Sequence, residues 1–348
     1  MSDDERLDAA DAGDASTRCC FVSVYRSSIG VSMPGESTDR LFRMRESDLL
    51  AHVYAIASGA DAAGAGVLVG PGDDCAVVRT PGGDELLLTV DQVVEGRHFE
   101  PGTPVDLIAR KAVARSISDI AAMGGVPASG LAAGVLPEGY ERGRELCEAL
   151  HRWGLHWRCP IVGGDIATGP GPLTISVTVV GRMDGVKPVL RSGALPGDEL
   201  WLTGQVGGSF ESGWHLRFEP RLEAGLAAAR SGMVHAMIDL SDGLGRDAGR
   251  IGAASGVRLV IDGAKIPVSH GCRDWWQAVG EGEDYELLMC VAAIDGRSEI
   301  RPFDAAPPLI GPIGVVRACR GGEAPGATIV DADGRGHDVG EMGWDHVG

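Results

Sequence analysis

Apolar positions along the chain recur in two rhythms, every three to four residues in some stretches and as short unbroken runs in others. From Glu46 to Ala57, Leu49, Leu50, Val53, Tyr54 and Ile56 predict a first helix. The run LLLTV (86–90) predicts a buried strand that ends at Asp91. Residues 106–123 read as a helix with Asp106 as its N-cap, stopped by Gly124-Gly125 and Pro127. Its apolar stripe runs through Ala109, Val113, Ile117 and Ile120, while Lys111, Arg115 and Asp119 share another face. A further helix over 141–156 leads to IVGGD (161–165), and ISVTVVG (175–181) is a β-branched strand. RSGALPGDELWLTG (191–204) joins turn residues to a new strand, and MIDLSDGLGRDAGRI (237–251) reads as strand, turn and helix. There Ser241 is the expected N-cap, with Leu244, Ala248 and Ile251 on the buried side. LVID (259–262), EDYELLMC (283–290) and a Gly/Pro-rich final stretch complete the chain.

This alternation predicts a two-domain α/β (α+β) protein, with the sheet type left open. Residues 1–40 are polar and without sustained periodicity, which reads as a disordered tail. An N-terminal domain over 41–187 and a C-terminal domain over 188–348 are expected, the boundary falling just before RSGALPGDELWLTG. A chain of 348 residues has room for two such cores.

Composition narrows the function classes. Hydrophobic residues are 44% and charged residues 23%, the balance of a water-soluble globular chain. No run of about 18 apolar residues suggests a membrane span, and the acidic start MSDDERLDAADAGDAS lacks the apolar region of a signal peptide. A cytoplasmic protein is expected. Acidic residues outnumber basic ones 49 to 31, a net charge of −18, which argues against nucleic acid as a partner. Eight scattered cysteines without a CxxC pair support neither a zinc site nor a dithiol motif.

The location of the acid is more informative than its amount. GPGDD (70–74), LLLTVD (86–91), SISDIAAMGG (116–125), VGGDI (162–166) and IDLSDG (238–243) each set an Asp at an element end beside a turn, with Gly adjacent in most. Each alone reads as a structural turn or helix cap. Together they also fit a magnesium site, in which carboxylates bridge the ion to substrate phosphates and the glycines permit close backbone approach. Both readings stand on composition and spacing. There is no GxxxxGK[ST] loop and no HRD or DFG set, and GQVGGS (204–209) does not match GxGxxG.

The order of seven segments is more specific. GDDCAVV (72–78), TVDQVVEGRHF (89–99), SDIAAMGGVP (118–127), VGGD (162–165), RSGALPGDELWLTG (191–204), IDLSDGL (238–244) and GEDYELL (282–288) resemble the thiamine-monophosphate kinases. These enzymes share a superfamily with aminoimidazole ribonucleotide synthetase and selenophosphate synthetase. The resemblance implies the two-domain aminoimidazole ribonucleotide synthetase-like fold, a homodimer formed through the N-terminal sheet, and a cleft for ATP and several Mg2+ ions. The γ-phosphate of ATP would pass directly to thiamine monophosphate. It also implies roles by position. Asp74, with Asp73 as a second candidate, Asp91, Asp119, Asp165, Asp239 and Asp242 match metal ligands, supported by Thr89 and the Val90 carbonyl. Asp91, Asp119 and Asp239 would be central to catalysis. Gly164, Asp165, Arg191 and Ser241 match nucleotide contacts, and His98, Glu283 and Trp344 match acceptor contacts, with Asp284 and Tyr285 in support. Three departures stand out: Ile166 where the family commonly has Thr, Arg115 where many members have Asn, and Val347 where many members have an aromatic residue. The rival readings are a sibling synthetase acting on another acceptor and a non-catalytic nucleotide-binding regulator.

Overall fold

The computed structural model describes residues 46–57, 66–293 and 303–343. The expected tail, Trp344 and Val347 lie outside the described residues. After a first helix, α1 (Glu46–Ala57), the chain forms β1 (Val67–Val69), β2 (Ala76–Arg79), β3 (Glu85–Val94), α2 (Val105–Ala122), β4 (Val126–Pro137), α3 (Gly143–His156), β5 (Ile161–Gly169) and β6 (Thr174–Arg182). These strands make a six-stranded sheet in the order β1-β2-β3-β6-β4-β5. All neighbours are antiparallel except β4 and β5. A second, seven-stranded sheet has the order β13-β12-β9-β11-β7-β10-β8. It is built from β7 (Glu199–Leu202), β8 (Val234–Asp239), β9 (Val257–Asp262), β10 (Leu287–Val291), β11 (Ile310–Ala318), β12 (Gly326–Val330) and β13 (Gly336–Asp338). The helices beside it include α4 (Ser209–Ser212), α5 (Leu222–Ser231), α6 (Leu244–Ser255) and α7 (Trp275–Gly280).

Hydrophobic alternation fixes which face of the first sheet meets α2. Along β6, Ile175, Val177 and Val179 are buried with Val77, Leu87, Val113 and Ile117, while Thr174, Ser176 and Thr178 alternate to the other face. A second core joins β7, β8 and β9 to α6 through Leu200, Ile238, Leu244, Ile251 and Leu259. Where α5 crosses α2, Gly225 is indispensable: a Cβ there would lie 2.0 Å from the carbonyl oxygen of Ala121.

The structure corrects several sequence expectations. Strand β3 does not stop at Asp91, because β6 continues to pair with it from Asp91–Val177 to Val94–Thr174. The site acid therefore sits in mid-strand. Asp106 does not cap α2, whose N-cap is Pro104; its carboxylate accepts from Arg152 and from Trp153 Nε1 at 2.9 Å, tying α2 to α3. Ser241 does not cap α6 either. The fourth residue of that helix, Asp247, accepts the Asp242 and Gly243 N–H groups at 3.0 and 3.1 Å and does the capping from within. Ahead of β10, residues 283–286 form no regular element, and Glu283 and Tyr285 hold φ +67° and +52°. Their N–H groups donate to the Ser241 and Leu240 carbonyls. The Gly/Pro-rich final stretch, to which no elements were assigned, contains β11, β12 and β13.

Candidate active site

Helix α2 is buried over almost all of its 18 residues, including its polar face. Lys111, Arg115 and Asp119 recur every four residues, so they form one inward stripe. Asp119, at the C-terminal end, meets Asp74 from the loop before β2 and Asp239 from the end of β8. Carboxylate oxygens of these three residues all lie within 4.8 Å of one another. Three segments far apart in sequence thus converge on one point.

Each of the three carboxylates has one oxygen engaged by a neighbour. Arg191 Nη2 donates to Asp74 Oδ1 at 2.6 Å, Thr89 Oγ1 to Asp119 Oδ2, and Ser118 Oγ to Asp239 Oδ2 at 2.6 Å. The other oxygen of Asp74 is buried without a hydrogen-bond partner, an arrangement costly for a carboxylate unless a cation or proton meets it. Burial, reinforced by the neighbouring aspartates, pushes the Asp119 and Asp239 carboxyls well above the usual range. Burial and then Asp74 likewise push Asp73 up to about 6. Oxygen ligands, converging negative charge and an orphaned buried oxygen together fit a divalent cation.

Asp91 lies beside this group on the inward row of β3, and its Oδ1 accepts from Arg115 Nη2 at 3.3 Å. Arg115 Nη1 also donates to the Gln92 carbonyl at 3.1 Å and approaches Glu283 Oε1 to 3.9 Å. The guanidinium therefore links the aspartates to a second cluster. In that cluster Lys111, fully buried, pairs with Glu283 and donates to the His98 carbonyl at 2.5 Å. Its Nζ is 2.9 Å from His215 Nδ1, which is itself 3.4 Å from Glu283 Oε2. Burial alone would raise the Glu283 carboxyl, but His215, Lys111 and Arg115 hold it at about 2. On Lys111 burial prevails over the attraction of Glu283 and brings the ammonium down to about 8.

The remaining expected site residues divide. His98 belongs to the second cluster, its Nδ1 accepting the Val94 N–H at 3.0 Å. Arg191 is fixed on the GDD loop: its backbone N–H donates to Asp73 Oδ2 at 3.0 Å and its guanidinium reaches Asp74. Asp242 is held by Arg250, next to Ser241 in the turn after β8. Asp165 and Gly164 are not brought to the aspartate group. By register Asp165 shares a row with Ala133, Ser176 and Gln92, the outward row of the sheet, whereas Asp91 shares the inward row with Val177. Val90, expected to help through its carbonyl, is 63% exposed. Gly164 and Ile166 instead line a cavity of about 410 Å3 between β5 and α3, with Ala132, Gly134, Leu146 and Leu150. Asp284 supports from behind, its Oδ1 accepting Gly207 N–H at 2.9 Å and Ser209 Oγ at 2.6 Å. Tyr285 stacks on Phe218 with ring centroids 3.9 Å apart.

Sequence reasoning assigned no role in the site to Lys111, Arg115, Ser118 or His215. The four-residue spacing from Asp119 back to Lys111 carried a signal for the first two. Nothing in the sequence around His215 did.

An acidic pocket bounded by a mixed sheet, a buried helix and the tip of a second sheet defines an AIR synthase-related protein. Residues 72–183 match the family model described as AIR synthase related protein, N-terminal domain. The chain is 38% identical over 245 residues to a thiamine-monophosphate kinase of Rhodopirellula baltica, covering 65% of this chain and 77% of that one. It is 31% identical over 303 residues to a thiamine-monophosphate kinase of Caulobacter vibrioides, covering 79% and 84% respectively. Among solved structures, "AaThiL complexed with AMPPCP and TMP" superposes with a TM-score of 0.71 at 27% identity, covering 90% of this chain and all (100%) of that chain. The chain belongs to the thiamine-monophosphate kinase family.

Proposed function

We propose that this chain transfers the γ-phosphoryl group of ATP to the phosphate of thiamine monophosphate, giving thiamine diphosphate and ADP. Its relatives carry that activity in their names, and the AaThiL complex holds an ATP analogue together with TMP. The observation that carries the reading is the convergence of Asp74, Asp119 and Asp239 within 4.8 Å. Joining two anionic phosphates is opposed by charge repulsion, and a phosphoryl-transfer site needs positioning and neutralisation more than covalent chemistry.

Magnesium ions fit this site. Asp74, Asp119 and Asp239 would hold them, with Asp91 and Asp242 alongside, and bound cations would supply neutralising charge to the phosphates. The protein's own groups orient these ligands: Arg191 sets Asp74, Thr89 sets Asp119 and Ser118 sets Asp239. Arg191 and Ser241 are assigned to the nucleotide phosphates, and the cavity beside Gly164 to the remainder of the nucleotide. His98 and Glu283 are assigned to the acceptor side. Because Glu283 is already paired with Lys111, its role there is to hold the cationic cluster in place rather than to act as a bare anion.

The open face of the first sheet supports a homodimer through that sheet, since Val90, Leu131 and Val135 are exposed on it. On this reading Asp165 lies at the subunit contact. The proposed domains remain 41–187 and 188–348, preceded by a tail. No described helix is long and apolar enough to cross a membrane.

The test is ATP consumption by purified full-length chain with excess magnesium and thiamine monophosphate, with product separation. Thiamine diphosphate should form in step with ADP, and an aminoimidazole precursor or selenide offered as acceptor should give neither. No product from thiamine monophosphate would overturn the proposal.

A further inference from the structure

Arginines that clamp acids in this fold do so at short range, and often with two nitrogens. Arg221 sets both Nε and Nη2 on Glu286, the former at 2.7 Å, and Arg317 forks Glu323 at 2.6 and 2.7 Å. Arg191 Nη2 meets Asp74 Oδ1 at 2.6 Å. Arg115 differs from all three. Its contact with Asp91 is 3.3 Å long and its approach to Glu283 is 3.9 Å, while its 3.1 Å hydrogen bond goes to the Gln92 carbonyl. Its Nε is buried with no hydrogen-bond partner. Such a guanidinium is poorly placed to fix the orientation of a carboxylate, yet it is only 9% exposed and permanently charged. What it supplies is charge.

The position of Arg115 along α2 decides where that charge acts. It stands one turn, about 5.4 Å, from Asp119 on one side and from Lys111 on the other. Lys111 is taken up by Glu283, the His98 carbonyl and His215. Arg115 is therefore the cation of the stripe that faces Asp91. Burial and then Asp91 are the largest causes that raise the Asp119 carboxyl, so Asp91 borders the group formed by Asp74, Asp119 and Asp239. A fixed positive charge is thus built in one acid away from the point where those three converge.

We propose that Arg115 is a resident counter-cation of the aspartate site, balancing Asp91 so that magnesium is held less tightly than the acids alone would hold it. The inference rests on the magnesium reading above and names the residue that tunes the affinity for that ion. An ion held less tightly by the protein is freer to travel with the nucleotide phosphates that magnesium usually bridges.

The experiment titrates full-length wild type, Arg115→Gln and Arg115→Lys with magnesium chloride alone by isothermal calorimetry, after thermal melting has compared the three folds. Arg115→Gln keeps an amide donor for the Gln92 carbonyl but drops the charge. It should bind magnesium at least about tenfold tighter, since a fixed charge acts strongly on a divalent ion across a few ångströms of protein interior. The ATP-consumption assay should then reach its half-maximal rate at correspondingly less magnesium. Arg115→Lys keeps the charge without the planar fork and should stay within about threefold of wild type. A clamp would behave in the opposite way, because loosening Asp91 would weaken the site. Unchanged or weaker binding in Arg115→Gln therefore overturns the proposal. Binding about tenfold weaker in Arg115→Lys overturns it too, and decides the matter if the glutamine variant does not fold. A wild type that binds no magnesium refutes the metal reading, and this inference with it, whereas the Arg115 outcomes bear on this inference alone.

Discussion

Lys111→Met should unfold the protein more easily by about 3 kcal/mol, and Glu283→Gln by a similar amount, yet the double variant should lose much less than their sum. The two partners have been displaced in ways that nearly cancel. Glu283 is held at about 2 against an ordinary 4.5, a preference for its charged form of about 3 kcal/mol. Lys111 is brought from 10.5 to about 8 by burial, a penalty on the ammonium of about the same size. The intact pair therefore adds little net stability, whereas either charge left alone in that interior is expensive. Arg115 and His215 still face Glu283 in the lysine variant, which keeps its loss near the lower end of the 3–5 kcal/mol usual for a broken buried pair. The sign with pH follows from the depressed carboxyl. Its contribution is fully present above about 4.5 and is lost as pH falls from there through about 2. Urea unfolding followed by tryptophan fluorescence at pH 7 measures all four proteins. Strictly additive losses, or single variants within about 0.5 kcal/mol of wild type, would refute the argument.

Two other outcomes are expected. Asp119→Asn should reduce turnover by about a thousandfold, the scale of losing one transition-state charge contact, with the melting temperature unchanged or raised because one of three crowded acids is gone. Rates within tenfold of wild type in the ATP-consumption assay would remove Asp119 from the site. Magnesium should raise the melting temperature more at pH 8 than at pH 5.5. Asp73 titrates near 6 and Asp119 and Asp239 are pushed upward, so protons compete for the site at the lower pH. For such acids the ion-free fold weakens as pH rises from about 4 past 6, and the cation reverses that penalty. Equal shifts by thermal scanning at both pH values would sink this account.

The sequence disclosed the elements whose pattern is local. The helix at 46–57, the stripe on α2 and the β-branched run of β6 all follow from spacing. It misjudged places where distant partners decide. Strand β3 outruns its apolar stretch because β6 is there to pair with Asp91 and its successors. Asp247 replaces Ser241 as the cap because the chain turns back at Gly243, and β11 to β13 form from Gly- and Pro-rich sequence because neighbouring strands accept them. The aspartates were recognisable as a set, and Asp74, Asp119 and Asp239 do meet. Asp165 looked identical in its Gly-Gly-Asp setting, but a register shift between Gly130 and Leu131 enters the pairing of its strand and the residue falls on the outward row. Lys111 was legible only as a member of the face it shares with Arg115 and Asp119; its burial comes from the packing against His98, His215 and Glu283 rather than from the helix itself.

The hydroxyl of Thr89, the hydroxyl of Ser118 and the guanidinium of Arg191 have a consequence for ion choice. Each claims one oxygen of a site carboxylate, so each of those acids is left to bind through a single atom. Calcium favours six to eight oxygens and often takes carboxylates through both, whereas magnesium is content with a few single oxygens and water in an octahedron. The neighbours of the aspartates thus act as a filter on ionic radius: by limiting how many oxygens each acid can offer, they bias the pocket toward the smaller, more tightly hydrated ion.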